Sequence, residues 1–261
     1  MDARTDRLVA ITHVPSPGLE RGERTYAEQD AIDLRLARLQ HAAYEDALRG
    51  FGARVLQLDV NRDLPDCVFV EDTAIVLDEV AVMMSMGAES RRGEPAGIER
   101  ELRKYRVIER VVLPATIDGG DVVRCGRALF VGESTRTNSA GIVALGEVVR
   151  SYGYAVTGVP VRRCLHLKSA CSALPDGSFL VNRDWIDVSP LPSDRLAQVP
   201  PKEPWAGDVL VIGERIIVPS SCPGTMDTLR ARGWSVRPVD VSEFAKAEGG
   251  VTCMSLVFAE T

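Results

Sequence analysis

Three segments of the chain share one pattern of hydrophobic and polar positions, in which a glycine is followed by valine or leucine at fixed offsets. They are residues 52–60, 153–161 and 233–241, each of the form Gly-x-x-Val-x-x-[Leu/Val]-x-Val. A glycine between a helical pattern and an apolar run is typical of a helix that ends in a left-handed residue and leads into a strand. The pattern therefore predicts helix, glycine stop and strand three times over.

A helical pattern precedes each of these segments. The first helix is predicted from apolar residues three or four apart that would form its buried face: Ile32, Leu36, Leu39, Ala43 and Ala47. The second is predicted from Ala140, Val143, Val148 and Val149. Asn138 is predicted to cap the second helix. Pro223 is predicted to occupy the first turn of the third helix, which would turn Leu229 inward.

Paired β-runs form a second repeated element. Residues 72–82, 121–131, 174–181 and 208–218 each contain two apolar runs around a turn, and residues 8–14 form an N-terminal strand. Units starting near residues 68, 118, 165 and 207 predict about five ββαβ-like repeats, which close into one α/β domain over residues 1–261. The alternative is an ordinary α/β domain with coincidental glycines. Residues 190–204, rich in proline, are predicted to be a linker-like surface loop.

Charge and composition narrow the class of protein. The 261 residues carry 31 basic and 37 acidic side chains, a net charge of −6, which argues against a nucleic-acid or membrane-surface partner. No apolar run is long enough for a membrane helix, and the charged first residues argue against a signal peptide. Six cysteines without a Cys-x-x-Cys pair, and three histidines, favour a cytoplasmic protein with reduced thiols and no metal site.

Polar residues follow the predicted strands at comparable positions. Asp66, His166 and Cys253 follow the three strands that begin after a glycine, and Asp118 follows a less regular strand predicted at residues 111–113. Cys253 itself falls in an apolar run at residues 251–258 that predicts a C-terminal strand. Equivalent positions of a closed array converge on its axis, and two carboxylates, an imidazole and a thiol suit nucleophilic catalysis on a cationic substrate. Each residue also has a structural explanation: the cysteine as a small buried side chain, the histidine as a core residue, and the aspartates as turn formers. The paired glycines at 249 and 250 favour the catalytic interpretation, because they allow a ligand to approach the backbone closely.

Six segments resemble the dimethylarginine dimethylaminohydrolases, a family of the guanidino-modifying (pentein) superfamily. They are residues 69–73, 90–94, 118–121, 132–138, 165–169 and 249–255, and the similarity extends in order over residues 8–258. The resemblance implies the pentein fold, a fivefold pseudo-symmetric α/β propeller. It also implies hydrolysis of Nω,Nω-dimethyl-L-arginine and Nω-methyl-L-arginine to L-citrulline and dimethylamine or methylamine.

The resemblance implies a role for each matching residue. Cys253 would be the nucleophile, His166 the proton donor and acceptor, and Asp118 the residue that orients His166. The implied substrate-binding residues are Leu19, Asp66, Phe69, Glu71, Asp72, Arg91, Arg136 and Ala247. Arg91 and Arg136 would hold the substrate carboxylate, with Arg92 as the competitor of Arg91.

The resemblance also limits cofactors and partners. It implies no cofactor, a small-molecule substrate as the partner, and a monomer or homodimer. Two alternatives remain open. One is an arginine deiminase or amidinotransferase, whose known members carry inserted segments that this chain has no room for. The other is an inactive propeller that acts as a binding module.

Overall fold

Five three-stranded sheets follow one another in the computed structural model, which describes residues 7–26 and 30–260. In the first sheet β1 (Arg7–His13) pairs antiparallel with β15 (Leu256–Glu260) and parallel with β2 (Arg54–Leu58). The other sheets repeat this pairing around a hairpin. Their strands are β3 (Ala74–Val76), β4 (Val80–Met83) and β5 (Val107–Arg110); β6 (Val122–Cys125), β7 (Ala128–Glu133) and β8 (Ala155–Pro160); β9 (Cys171–Ala173), β10 (Phe179–Val181) and β11 (Leu196–Gln198); and β12 (Leu210–Ile212), β13 (Arg215–Pro219) and β14 (Ser235–Val239). This arrangement is the predicted pseudo-fivefold α/β propeller.

Helices connect the parallel strands in four of the five described units. They are α1 (Leu34–Gly50), α2 (Glu94–Leu102), α3 (Ser139–Arg150) and α4 (Pro223–Ala231), and a four-residue α5 (Ser242–Ala245) precedes β15. In the fourth unit, residues 182–195 join β10 to β11 without an α-helix. The predicted ββαβ repeat is therefore incomplete in that unit.

Each unit buries its apolar face against the next. Ile75 and Val82 of the second sheet pack in one cluster with Val122 and Leu129 of the third sheet and with Leu145 of α3. Such sharing is expected of repeats that cannot bury a core alone. The inner strands β3, β6, β9, β12 and β15 line a channel along the axis.

The local signals at the ends of the helices are confirmed. Gly52, Gly153 and Gly233 have φ angles of 86°, 79° and 91°, the left-handed region that glycine adopts without strain. The Asn138 side chain accepts a hydrogen bond from the Gly141 N–H at 2.7 Å and so caps α3. Pro223 begins α4, and the helix buries Leu229.

The predicted buried face of α1 is wrong at Leu36, Leu39 and Ala43, whereas Ala47 is buried as predicted. Leu36 and Leu39 are 38% and 62% exposed, whereas Tyr44 and Leu48 are fully buried. The buried face also carries the polar residues Gln40 and Glu45, whose partners on other elements offset their burial, and His41, which lies 3.7 Å from Glu45 on the same helix. The side of α1 that faces the core therefore includes polar residues, which a hydrophobic pattern does not identify as buried. In α3 the same type of error applies to Ala140 and Val143, which are exposed, while Val149 is buried as predicted.

Several strand predictions also need correction. The strand predicted at residues 111–113 ends earlier, as β5, and Val112 and Leu113 are exposed. The fourth hairpin begins at Cys171 rather than Leu174. The predicted linker at residues 190–204 contains β11, which completes the fourth sheet by pairing with β10. Cys253 lies in a turn before β15 rather than within a strand.

No helix in residues 7–26 and 30–260 is both long enough and apolar enough to cross a membrane.

Candidate active site

One cavity gathers most of the predicted site residues. It is lined by Glu23, Asp66, Phe69, Asp72, Arg91, Arg136, Leu165, His166, Ala247, Glu248, Gly249 and Cys253. Three predicted residues are absent from this lining. Asp118 is fully buried beside His166, Glu71 lines the axial channel, and Leu19 is fully buried in the hydrophobic core.

Short 3-10 turns at equivalent positions of the units bring these side chains to the cavity. Asp118 precedes the turn at Gly119–Asp121, and His166 precedes the turn at Leu167–Ser169. In the second sheet's unit the equivalent residue is Phe69, and Asp66 comes three residues earlier. The predicted equivalence therefore holds for Asp118 and His166, whereas Asp66 reaches the cavity from a neighbouring position.

Five charged side chains form a chain of contacts across the site. Arg91 Nη1 donates to Asp72 Oδ2 at 2.7 Å, and Asp72 Oδ1 lies 3.7 Å from His166 Nδ1. On the other side of the ring, His166 Nε2 lies 3.1 Å from Asp118 Oδ2, and that oxygen lies 3.8 Å from Arg136 Nη1. The imidazole is thus held between two carboxylates, each beside an arginine.

The carboxylates around His166 determine whether its imidazole ring is charged. Burial alone lowers the pKa of an imidazole, but the negative charges of Asp72, Asp121 and Asp118 outweigh burial and raise the pKa of His166 to about 9. The same contacts lower the pKa of Asp72: burial raises it, but His166 and Arg91 outweigh that effect. At neutral pH His166 is therefore an imidazolium, a group that can donate a proton to a leaving amine.

The two arginines have different surroundings. Arg91 also donates from Nε and Nη2 to Glu94, at 3.0 and 2.8 Å, and from Nη2 to the Phe69 carbonyl at 3.1 Å. Arg136 is just as buried, but its Nη1 has no hydrogen-bond partner among the described residues. Arg92, the competitor of Arg91, is half-exposed and lies outside the cavity lining.

The thiol of Cys253 is partly exposed at the cavity. The Gly250 N–H donates to its sulfur at 3.4 Å, and the Cys253 carbonyl accepts the Glu71 N–H at 3.1 Å. Burial first, and then the negative charges of Asp208, Glu71 and Asp72, raise the pKa of the thiol well above its usual value. The free protein therefore holds Cys253 as a neutral thiol at neutral pH.

Glu71 lines the axial channel, and its charge acts on the Cys253 thiol. Its Oε1 accepts a hydrogen bond from Lys168 Nζ, while its Oε2 is buried with no hydrogen-bond partner among the described residues. Burial raises the pKa of Glu71 to about 7, although Lys168 acts in the opposite direction. An unpartnered carboxylate oxygen near the thiol is suited to a cationic ligand.

Sequence reasoning missed two buried aspartates. Asp121 accepts the Leu167 N–H at 2.9 Å and so supports the turn after His166, and Asp208 accepts the Thr252 N–H at 3.1 Å beside Cys253. Burial raises the pKa of both carboxyl groups to about 6. A signal was present in the repeat, because Asp72, Asp121 and Asp208 each come one or two residues before the first strand of a hairpin.

A loop from the first unit lies against the cavity. Its Glu23 N–H donates to Asp66 Oδ2 at 3.0 Å, and the Glu23 carboxylate accepts a hydrogen bond from Ser90. The N–H groups of Thr25 and Tyr26 donate to Glu248. Glu248 has a φ angle of 60°, which is uncommon for a residue other than glycine. The sequence gives no signal for Glu248 beyond its place next to the paired glycines.

A group that could hold a metal ion is formed by Asp72, Asp118 and His166, whose ligand atoms lie within 4.8 Å of one another. Their contacts with Arg91, with the Gly87 N–H and with each other account for this grouping. The two adjacent guanidinium groups already balance these carboxylates, so the arrangement is that of an ion-pair network.

Comparisons with known proteins agree on one family. No protein-family model matches the sequence. The N(G),N(G)-dimethylarginine dimethylaminohydrolase of Streptomyces coelicolor is 40% identical over 252 residues, which cover 96% of this chain and 97% of the relative.

Solved structures give the same result. The dimethylarginine dimethylaminohydrolase of Pseudomonas aeruginosa, solved as a cysteine-to-serine mutant complexed with citrulline, has a TM-score of 0.89 at 32% identity and covers 95% of this chain and 98% of its own. The N-terminal domain of ArgZ, a cyanobacterial arginine dihydrolase, has a TM-score of 0.80 at 17% identity, covers 97% and 98% of the two chains, and so shares the fold. On this sequence identity over nearly the whole length of both chains, the protein belongs to the dimethylarginine dimethylaminohydrolase family.

Proposed function

We propose that the protein hydrolyses Nω,Nω-dimethyl-L-arginine and Nω-methyl-L-arginine to L-citrulline, releasing dimethylamine or methylamine. The observation that carries this proposal is the composition of one cavity. It is lined by the Cys253 thiol, the His166 imidazolium, carboxylates that include Asp66 and Asp72, and Arg136, whose Nη1 has no hydrogen-bond partner among the described residues. The acidic groups suit a substrate guanidinium, and the arginine suits an α-carboxylate.

We assign each substrate-binding residue to the part of the substrate that carries the opposite charge. The carboxylates of Asp66, Asp72 and Glu71 hold the guanidinium. Arg136 holds the α-carboxylate, because its buried Nη1 has no hydrogen-bond acceptor in the part of the chain that the structure describes. Arg91 contributes through the remaining N–H of Nη1, since its other donors already bind Asp72, Glu94 and the main chain.

The first chemical step forms a bond between Cys253 and the guanidinium carbon. The bound cation offsets the negative charges around the thiol, which loses its proton to the solvent and attacks as a thiolate. His166 gives its proton to the departing nitrogen, the C–N bond breaks, and the amine leaves. The product is a thiouronium attached to Cys253.

The second step returns the enzyme to its starting state. Neutral His166 takes a proton from water, and the resulting hydroxide adds to the thiouronium carbon. The C–S bond then breaks to release the thiolate, and the new carbonyl group loses its proton to the solvent as citrulline forms. The thiolate takes a proton back from the solvent, which restores the neutral thiol of the free protein. Asp118 keeps the His166 ring in place during both proton transfers.

The test is formation of citrulline and dimethylamine from dimethylarginine. We expect Cys253→Ser to reduce citrulline formation to background, because a serine hydroxyl is far less ionisable than a thiol. Cys125→Ser is the matched control, because Cys125 is also partly exposed but lines the axial channel, and its turnover should stay within about threefold of wild type.

Two results would contradict the proposal. One is unchanged citrulline formation by folded Cys253→Ser. The other is a higher kcat/KM for arginine than for dimethylarginine, which would favour an arginine deiminase, since the discrimination depends on one or two methyl groups.

A further inference from the structure

Asp208 is a buried carboxylate next to the nucleophile that the reaction steps above do not use. Its Oδ1 accepts the Thr252 N–H at 3.1 Å. Its Oδ2 packs directly against Gly250, since a Cβ atom built on that glycine would lie only 1.8 Å from this oxygen. The carboxylate therefore contacts both ends of the segment that leads to Cys253.

The turn that Asp208 contacts is the one that carries the sulfur. Within it the Gly250 N–H donates to Cys253 Sγ at 3.4 Å. No residue larger than glycine fits at position 250 while Asp208 keeps its place, so the glycine and the carboxylate are matched. A shift of the carboxylate would therefore shift the Gly250 N–H that donates to the sulfur.

Asp208 is itself held firmly by its surroundings. Its N–H donates to the Trp205 carbonyl at 3.1 Å. Ser172, on the neighbouring sheet, donates from Oγ to the Gly207 carbonyl at 2.7 Å and accepts the Val209 N–H at 3.2 Å. The carboxylate is thus a fixed support on one side of the nucleophile turn.

We propose that Asp208 is a positioning residue for Cys253, whose carboxylate holds residues 250–253 so that the Gly250 N–H points at the sulfur and whose negative charge lies behind the thiol. This inference rests on the proposed function, because it assigns the nucleophile to Cys253. Asp208 thereby becomes the fourth carboxylate with an assigned role, after Asp66, Asp72 and Glu71, which are assigned to the substrate guanidinium.

The charge of Asp208 acts together with the other ionisable groups that face the thiol. Asp72 is also negative, and Glu71 is partly ionised at neutral pH because its pKa is raised to about 7. His166 and Lys168 are positive, and the Tyr44 phenol is neutral. Asp208 is ionised at neutral pH even though burial raises its pKa to about 6. A fixed anion behind the thiol disfavours the thiolate until a cation binds, which protects the free enzyme from reacting with neutral electrophiles.

The test measures the rate of Cys253 alkylation by iodoacetamide as a function of pH, with peptide mass spectrometry to assign the site. Asp208→Asn keeps an oxygen for the Thr252 N–H but removes the charge. We expect the midpoint of the alkylation profile to move about one unit to lower pH, so that alkylation below the midpoint becomes about tenfold faster. Asp227→Asn, an exposed change of the same charge on α4, should leave the profile unchanged.

A second variant tests positioning. Asp208→Ala removes both contacts with the turn, and we expect kcat for dimethylarginine to fall on the order of 10- to 100-fold while KM changes less than about threefold. If Asp208→Ala does not fold, Gly250→Ala serves the same purpose, because its Cβ atom would displace the carboxylate. The expected kcat loss is the same.

Several results would overturn the inference. An alkylation profile of folded Asp208→Asn that superimposes on wild type would remove the electrostatic part. Wild-type kcat in folded Asp208→Ala or Gly250→Ala would remove the positioning part. Failure of the proposed function is distinguishable, since it would appear as a wild-type protein that forms no citrulline, whereas the alkylation profile needs no turnover.

Discussion

Arg91 and Arg136 have the same charge and almost the same burial, 3% and 6% exposed, yet their surroundings differ. Arg91 is held by Asp72 and Glu94, with its shortest contact at 2.7 Å. Arg136 Nη1 lies 3.8 Å from Asp118 Oδ2 and has no hydrogen-bond partner among the described residues. The protein already binds most donors of Arg91, whereas Arg136 has a free donor for a ligand.

This difference shows that burial and charge alone do not identify a substrate-binding arginine. The resemblance assigns the substrate carboxylate to both residues. Their hydrogen bonds indicate a division into two roles: Arg91 mainly stabilises the acidic side of the cavity, and Arg136 mainly binds substrate. That division can be tested with one substitution at each position.

The largest effect is expected on stability at Arg91. Arg91→Ala leaves Asp72 and Glu94 buried without their partner, a loss that typically costs about 3–5 kcal/mol. We therefore expect Tm to fall by roughly 10 °C in differential scanning calorimetry. Arg92→Ala, at the half-exposed neighbouring position, is the control and should change Tm by less than about 2 °C. An Arg91→Ala protein that unfolds at the wild-type temperature would refute the structural role.

The second effect is expected on substrate binding at Arg136. Arg136→Ala removes a charge-assisted contact worth about 1.5–3 kcal/mol, so kcat/KM for dimethylarginine should fall roughly 10- to 100-fold, mainly through KM. Arg136→Lys should recover part of this loss, because it restores the charge but not the planar fork. The assignment fails if wild type processes a substrate analogue without the carboxylate as well as dimethylarginine.

A smaller effect is expected on the pH dependence of stability, through the histidine that links the two arginines. Because folded His166 binds its proton more tightly than the unfolded chain, its contribution is complete below about pH 6.5 and is lost as the pH rises through about 9. Wild-type Tm should therefore fall by roughly 2–5 °C across this range. His166→Asn should show a smaller decline, and an equal decline would mean that His166 is not held as an imidazolium.

The sequence predicts the features of the fold that depend on neighbouring residues. The left-handed glycines at 52, 153 and 233 and the Asn138 cap follow from local backbone chemistry, so their patterns are reliable. The buried face of α1 was partly mispredicted because Gln40 and Glu45 are buried with partners from distant segments. The strand within residues 196–198 was missed for a related reason, since its pairing with β10 is a tertiary contact.

Prediction of the site from the sequence has the same limit. The repeat brought His166 and Cys253 to one cavity and placed Asp118 beside His166, because equivalent positions converge in a closed array. It could not distinguish Arg91 from Arg136, because their difference lies in Glu94 and in the geometry of Asp118. Roles that depend on partner geometry need coordinates, whereas roles that depend on repeat position do not.

The most direct test of the central claim is to trap the covalent intermediate. S-methyl-L-thiocitrulline has a leaving group that departs without a proton from His166, so a His166→Gly variant should form the adduct but hydrolyse it slowly. Intact-mass and peptide mass spectrometry should then find one adduct per chain, located on Cys253. An adduct on any of the other five cysteines, or none on a folded protein, would contradict the account.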